Sequence, residues 1–183
     1  MEEISDEQLV DEFMESGELR HFDALVRRHI GRVRAMIYPM VLNNADADDL
    51  TQQVFLRVMN GISRFRRKAS FSTWLYRITV NTTRSFLKQA WKRKLEFTEE
   101  IPESADGRKG PSAILEGQEL NRQVSQALAS LPDHLRMAIT LTAINGMNAQ
   151  EAASAEGCLV ATMYWRLHEA RKMLKHKLTM VQS

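Results

Sequence analysis

Arg66, Arg67 and Lys68 precede Ser70, Phe71, Ser72 and Trp74, and Arg77, Asn81, Arg84, Lys88 and Lys92 then recur at three- and four-residue steps. Cations, hydroxyls, an amide and aromatic rings thus share one stretch of chain. Cations draw in a phosphate backbone by releasing its counterions, and aromatic faces stack on exposed bases, so the interleaving suits melted or single-stranded nucleic acid. An amide inside a basic row adds a group that can hydrogen-bond a base edge, which Lys alone does not do selectively. From Leu50 to Leu95 there are eleven Arg and Lys, no Asp or Glu, and seven of the thirteen aromatic residues. Because the formal charge of all 183 residues is only +2, the rest of the chain is net acidic. The same pattern also fits a solvated basic helix whose aromatic residues belong to a core.

Other chemistry is poorly supplied. Asp46, Asp48 and Asp49 cluster where a helix would start, a position the helix dipole favours for acids. Hard cations need several oxygens converging from a shaped loop, and neither calcium-loop spacing nor a distant acid in a recognisable pattern is present. Cys158 is the single cysteine and the five His lie at no zinc-ligand spacing, so disulfides, structural zinc and other cofactors are not expected. A nuclease built on the three aspartates lacks a supporting base, and the chain is not expected to be an enzyme. No apolar run approaches the ~20 residues that span a bilayer, and the acidic start MEEISDEQ is unlike a signal peptide, so no membrane insertion and a cytoplasmic location are expected.

The elements that must position these residues are helical. Glu2 to Glu18 carries Leu9, Val10, Phe13 and Met14 at helical spacing with Ser5 as cap, and its acidic side chains read as solvated. A second helix from Leu19 turns Phe22, Leu25, Val26, Ile30, Val33 and Ile37 to a core, Pro39 kinks or ends it, and Asn43 to Ala45 forms a turn. Leu50, Val54, Leu56, Val58 and Met59 form the apolar stripe of a third, which Gly61 ends. Arg64 to Phe71 reads as a basic loop, after which Ser72 caps a helix from Thr73 to about Lys92, with Leu75, Ile78, Thr82 and Phe86 inward.

From Glu96 to Glu116 two Pro, two Gly and an acidic excess mark a linker. Beyond it Leu120, Val124, Ala127 and Leu128 form a short helix that stops at Leu131-Pro132, and Asp133 to Asn145 forms another, with Leu135, Ala138, Ile139, Leu141 and Thr142 inward and Gly146 as its stop. Asn148 and Glu151 make a capping box for AQEAASAE, Gly157 turns the chain, and Val160, Met163, Leu167, Ala170 and Leu174 set the seam of a last helix. A short Ala-rich helix, a Gly turn and a longer helix is the pattern of a helix-turn-helix, shared with a plain helical hairpin.

Together the two halves resemble the group IV, or extracytoplasmic-function, sigma factors of bacterial RNA polymerase. DADDLTQQVFLRVMNGISRF resembles region 2.2, FRRKASFSTWLYRITVNTTRSFLKQAWKRK regions 2.3 and 2.4, and LPDHLRMAITLTAINGMNAQEAASAEGCLVATMYWRLHEARKML region 4. The resemblance implies an all-α chain: a region 2 helical bundle over residues 1–95, a flexible linker over 96–116, and a region 4 helix-turn-helix over 117–183. It places Asp46, Asp48, Asp49, Gln52, Gln53 and Phe55 on the clamp helices of the polymerase largest subunit, with the flap region as a further contact. Arg66 to Ser72 matches the loop that pockets a flipped-out base of the minus-10 element, and Asn81 matches the Asn lining it. The resemblance extends the minus-10 surface to Trp74 and Arg77, with Arg84, Lys88, Lys92, Arg93 and Lys94 on phosphates. Extruding a base costs a few kcal/mol of stacking, which capture of the unstacked form offsets, so melting needs no catalytic residue.

In region 4 the resemblance puts Val160, Ala161, Thr162, Tyr164, Trp165, Arg166, His168, Glu169 and Arg171 at the minus-35 duplex. Tyr164 and Trp165 stand where the family commonly has Arg and Ser, Glu169 where a basic residue is frequent, and Leu159 where Pro is frequent, which alters the expected minus-35 preference. The implied function is a sigma factor that brings core polymerase to specific promoters, reading minus-35 as duplex and minus-10 as opened strand, with an anti-sigma factor as a further partner. The alternative is a sigma-like adaptor or mimic that binds a regulator without reading DNA, for which the intact basic stretch has no use.

Overall fold

The computed structural model describes residues 4–96 and 123–181, and among them every regular element is a helix. Helix α1 (Asp6–Ser16) opens on a capping box: Ser5 Oγ accepts from the Gln8 N–H at 3.2 Å while Gln8 Oε1 accepts from the Ser5 N–H at 2.8 Å. Leu9 and Val10 are buried and Phe13 packs against the core, but Met14 is 51% exposed, one step beyond the buried face.

Helix α2 (Leu19–Val41) runs through Pro39 rather than stopping at it. Proline removes the backbone donor that would bond the carbonyl four residues back, a cost the helix bears only two residues before its end, where Pro39 is buried along with Met36, Ile37 and Met40. The helix stops at Leu42, whose backbone is left-handed (φ 56°) and whose N–H donates to the Tyr38 carbonyl at 2.8 Å. Only Leu42 and Asn43 separate α2 from α3 (Asn44–Gly61), because Asn43 Oδ1 accepts the Asp46 N–H at 3.1 Å and starts the new helix at once. Along α3 the buried stripe is Ala47, Leu50, Thr51, Val54, Phe55 and Val58, whereas Leu56 is 60% exposed. The expected stripe is therefore one residue out at that turn, and Phe55 takes the inward place.

A 3₁₀ turn (Ile62–Arg64) and the segment 65–70 lead into α4 (Phe71–Glu96). Helices α1 to α4 pack on one another as a bundle, with Leu75, Val80 and Phe71 of α4 fully enclosed. Buried Thr79 and Thr83 donate to the carbonyls of Leu75 and Thr79 at 3.0 and 2.9 Å, so these hydroxyls sit in the interior without losing their partners.

The linker expected at 96–116 lies beyond the described residues apart from the last helical residue, Glu96, as does Leu120. The chain is described again in a helix over 123–129, α5, where Leu128 is buried and Val124 is 46% exposed, the reverse of its expected placement. Pro132 ends that turn and starts α6 (Asp133–Ile139), its carbonyl accepting from the Leu135 and Arg136 N–H groups at 2.9 Å each. The straight helix expected to Asn145 instead widens to a π-turn over Thr140–Ile144, closed by Asn145 N–H to the Thr140 carbonyl at 3.1 Å and by Gly146 at φ 71°. Helix α7 (Ala149–Glu156) starts at the Asn148/Glu151 capping box and ends at Gly157 (φ 67°), and α8 (Val160–Val181) follows. Met163, Leu167 and Ala170 of α8 are buried against α6 and α7, while Val160 is 37% exposed.

The second set of helices does not stand apart from the first. Helix α7 lies along α4, α6 and the π-turn lie against α2, and apolar burial continues from one set into the other.

Candidate nucleic-acid and polymerase interface

The basic loop rests on an aromatic floor. Phe65, Phe71 and Trp74 meet with ring centroids 5.3 to 5.9 Å apart, and His29 of α2 lies 5.6 Å from Phe71. Phe71, expected on the DNA surface, has no exposed area: as the first residue of α4 it points inward and anchors the loop. Trp74 is half-buried, its ring lying against the end of α3 at Gly61. Arg66, Arg67, Lys68 and Ser70 remain exposed. Ser70, not Ser72, supplies the helix cap, its Oγ accepting from the Thr73 N–H at 3.2 Å and lying 3.0 Å from Ser72 Oγ. The two-residue difference arises because α4 begins earlier, at Phe71.

Beside this loop is an open polar depression of about 580 Å³ whose lining includes Arg28, Arg32, Ser70 and Ser72. Arg32 is a cation at any working pH, as arginine is, and the neighbouring Tyr76 hydroxyl raises its guanidinium further above the ordinary value. Both arginines escaped sequence reasoning because they lie on α2, some forty residues from the loop; their four-residue spacing on the polar side of an amphipathic helix was the available signal.

On α4, Arg77 and Asn81 face outward and Arg84 is half-buried. Two of these three are engaged by α7. Arg77 donates to the Ser154 carbonyl from Nη2 at 2.9 Å and from Nε at 3.2 Å, and Nη2 also reaches Ser154 Oγ at 3.2 Å. Arg84 Nη1 donates to the Glu156 carbonyl at 3.1 Å, and its Nη2 pairs with Glu156 Oε2. The same oxygen also pairs with Arg166 of α8, and the Glu156 side chain has no exposure to solvent. One carboxylate therefore joins a member of the expected minus-10 set to a member of the expected minus-35 set. Glu156 was missed, although an acid amid buried Ala152, Ala153 and Ala155 signals a buried charge that requires a cation. Farther along α4, Lys88 and exposed Trp91 line a groove of about 810 Å³ together with Pro132, His134 and Met137 of the second helical set.

The acidic end of α3 carries Asp49, Gln52 and Gln53 exposed, whereas Asp48 pairs with Arg34 at 2.7 Å and Asp46 is half-buried. Phe55 is only 7% exposed, so it supports this surface from beneath. Exposed Leu56 and Ile30 flank an apolar groove of about 300 Å³ between α2 and α3, bordered by Gln52. Three aspartates at one helix end do not converge, and among the described residues no three His, Cys, Asp or Glu form a group able to hold a metal ion.

Along α8, Val160, Ala161, Tyr164, Trp165, His168 and Arg171 are exposed and Thr162 and Glu169 partly so. Arg166 turns away toward Glu156. The Trp165 ring lies parallel to His134 of α6, 6.3 Å between centroids and 3° between planes, while remaining 55% exposed. No described helix is long and apolar enough to cross a membrane.

Comparison with known proteins gives this arrangement its class. Residues 25–93 match the family described as Sigma-70 region 2 and residues 121–174 match Sigma-70, region 4, so the bundle and the helix-turn-helix are the two sigma-70 modules in chain order. The sigma-E factors of Escherichia coli (strain K12) and Haemophilus influenzae are each 30% identical to the chain, over 184 and 185 residues, covering 96% and 97% of it and 95% and 97% of their own lengths. The chain belongs to the extracytoplasmic-function sigma factors of RNA polymerase. Among solved structures, CnrH in complex with the cytosolic domain of CnrY is similar at TM-score 0.71 and 27% identity, covering 96% of this chain and 95% of that one. RpoE from Bartonella quintana, solved with the anti-sigma factor NepR, shares the fold at TM-score 0.71 and 22% identity, covering 86% and 96%.

Proposed function

We propose that this chain is a promoter-specificity subunit that carries core RNA polymerase to its promoters, reads the minus-35 element as duplex and opens the minus-10 element. The observation that carries this reading is the exposed basic loop on its aromatic floor, joined on one chain to a helix-turn-helix whose second helix presents its first turns to solvent. It acts by binding, with no bond-making step of its own, in the cytoplasm where the polymerase works. Region 2 occupies 1–95, the linker 96–116 and region 4 117–183.

Asp46, Asp48, Asp49, Gln52 and Gln53 meet the clamp helices, with Phe55 supporting them from below and Leu56 adding an apolar contact. Arg66, Lys68, Ser70 and Ser72 surround the flipped base, Asn81 bonds its edge, and Lys88 and Lys92 hold phosphates. Ala161, Tyr164, Trp165, His168 and Arg171 face the minus-35 groove, where aromatic rings meet thymine methyls and Glu169 accepts from a cytosine amino group. Because Arg77, Arg84 and Arg166 are all engaged at the contact between α4 and α7 with α8, the second helical set must leave α4 before these arginines meet DNA. An anti-sigma factor that grips both modules would hold them away from promoter DNA. A protein partner of that kind is supported by CnrH, solved with the cytosolic domain of CnrY, and by RpoE, solved with the anti-sigma factor NepR.

Run-off transcription with purified core polymerase and a promoter-fragment library, with and without the chain, tests the proposal. Initiation at a discrete two-part motif that depends on the chain is expected. Core binding without initiation, and without salt-dependent promoter binding, would leave the adaptor reading instead.

A further inference from the structure

Three segments distant in sequence converge behind the basic loop. Helix α1 is fastened to α2 through Asp6, whose Oδ1 accepts from Arg28 Nη1 at 2.6 Å and whose Oδ2 lies 2.7 Å from His29 Nε2. The next acids along α1 point to the loop. Glu7 Oε1 accepts the Phe71 N–H at 3.0 Å, and Asp11 pairs with Arg67. Glu7 and Asp11 are four residues apart and therefore share one helix face. Both partners sit at demanding places. The Phe71 N–H is one of the leading donors of α4, which have no carbonyl partner within the helix, and the Phe71 side chain is fully buried. Arg67 is held in the left-handed region at φ 53°, a conformation that a non-glycine residue adopts at a cost.

We infer that Glu7 and Asp11 are positioning residues for base capture: the first helix pins the loop from Arg67 to Phe71 in the shape that receives the unstacked minus-10 base. This rests on the minus-10 reading of the loop given above. A loop ordered in advance loses no conformational freedom when the base arrives, so pinning it lowers the cost of capture without touching the DNA. Glu7 also lines the polar depression beside Ser70 and Ser72, but in this role each acid acts through a loop residue.

The test uses the full chain with core polymerase and three readouts: affinity for core, affinity for a single-stranded minus-10 oligonucleotide, and opening followed by 2-aminopurine fluorescence in the minus-10 strand. Glu7→Ala and Asp11→Ala are each expected to weaken oligonucleotide binding and opening about five- to tenfold, the loss of one charge-assisted contact, with core affinity within about twofold. Glu7→Gln keeps an acceptor for the Phe71 N–H and should return both to within about twofold of the parent. Asp11 is 46% exposed, so Asp11→Ala keeps the test open should Glu7→Ala not fold. Parent-like opening in both alanine variants overturns the inference, as does an equal loss of core affinity, or a Glu7→Gln as impaired as Glu7→Ala. Asn81→Ala serves as the reference: if it alone is impaired, the base pocket stands and the pinning does not. If Asn81→Ala opens normally, the pocket reading fails, and the pinning inference with it.

Discussion

Glu156→Gln is expected to loosen the clasp between α4 and α7. The parent carboxylate is fully enclosed and bridges Arg84 and Arg166, while Arg84 is 41% exposed. A hydrogen bond to a charged group contributes about 1.5–3 kcal/mol, and partial solvation of Arg84 reduces that to about 1–2 kcal/mol for its arm of the bridge. The open-to-closed ratio should rise about 5- to 30-fold, since one to two kcal/mol corresponds to that factor. Opening would be partial, because the Glu156 carbonyl and the Arg77–Ser154 bonds are untouched by the change. Single-molecule energy transfer between dyes at Asn60→Cys and Lys172→Cys, both exposed positions, in a Cys158→Ser background reads the ratio directly. The amide also weakens the tie to Arg166, which concerns only the second helical set, so Arg84→Gln should give a similar distance shift with a smaller loss of thermal stability. A parent-like distance distribution in both variants, whatever happens to melting, would refute the clasp.

Asn81→Ala should reduce opening and minus-10 discrimination about tenfold, the scale of one lost base-edge bond, with core affinity unchanged; gel shifts on mismatched minus-10 oligonucleotides check it. Asp49→Arg combined with Gln53→Arg should weaken assembly with core in anisotropy titrations, and undiminished assembly would displace the clamp contact from α3. Gly157→Ala forces a side chain into the left-handed region (φ 67°) and should cost about 1–2 kcal/mol, read as a lower melting temperature of the second helical set.

Much of the local architecture was legible because its causes are local. Ser5 before α1, Asn148 with Glu151 before α7, and Gly157 after it act on backbone groups within four residues, and each lies where the sequence suggested. The seams of Met163, Leu167 and Ala170 followed from period alone. Errors came where a neighbour chose between adjacent residues. Phe55 rather than Leu56 turns inward, and Ser70 rather than Ser72 caps α4; of the two outcomes open at Pro39, a kink or an end, the helix does not end there.

By itself, then, the sequence determined the helices, their order, the segregated charge and the sigma-type resemblance, all consequences of residue type at short spacing. Only the tertiary structure decided which charges meet. Glu7 and Asp11 read as solvated acids yet hold a loop some sixty residues away, and Arg77 and Arg84 read as a free basic face yet grip α7 more than seventy residues on. A charged side chain carries no sequence mark of its partner, because ion pairing depends on distance in space, and that distance is set by how the apolar faces pack.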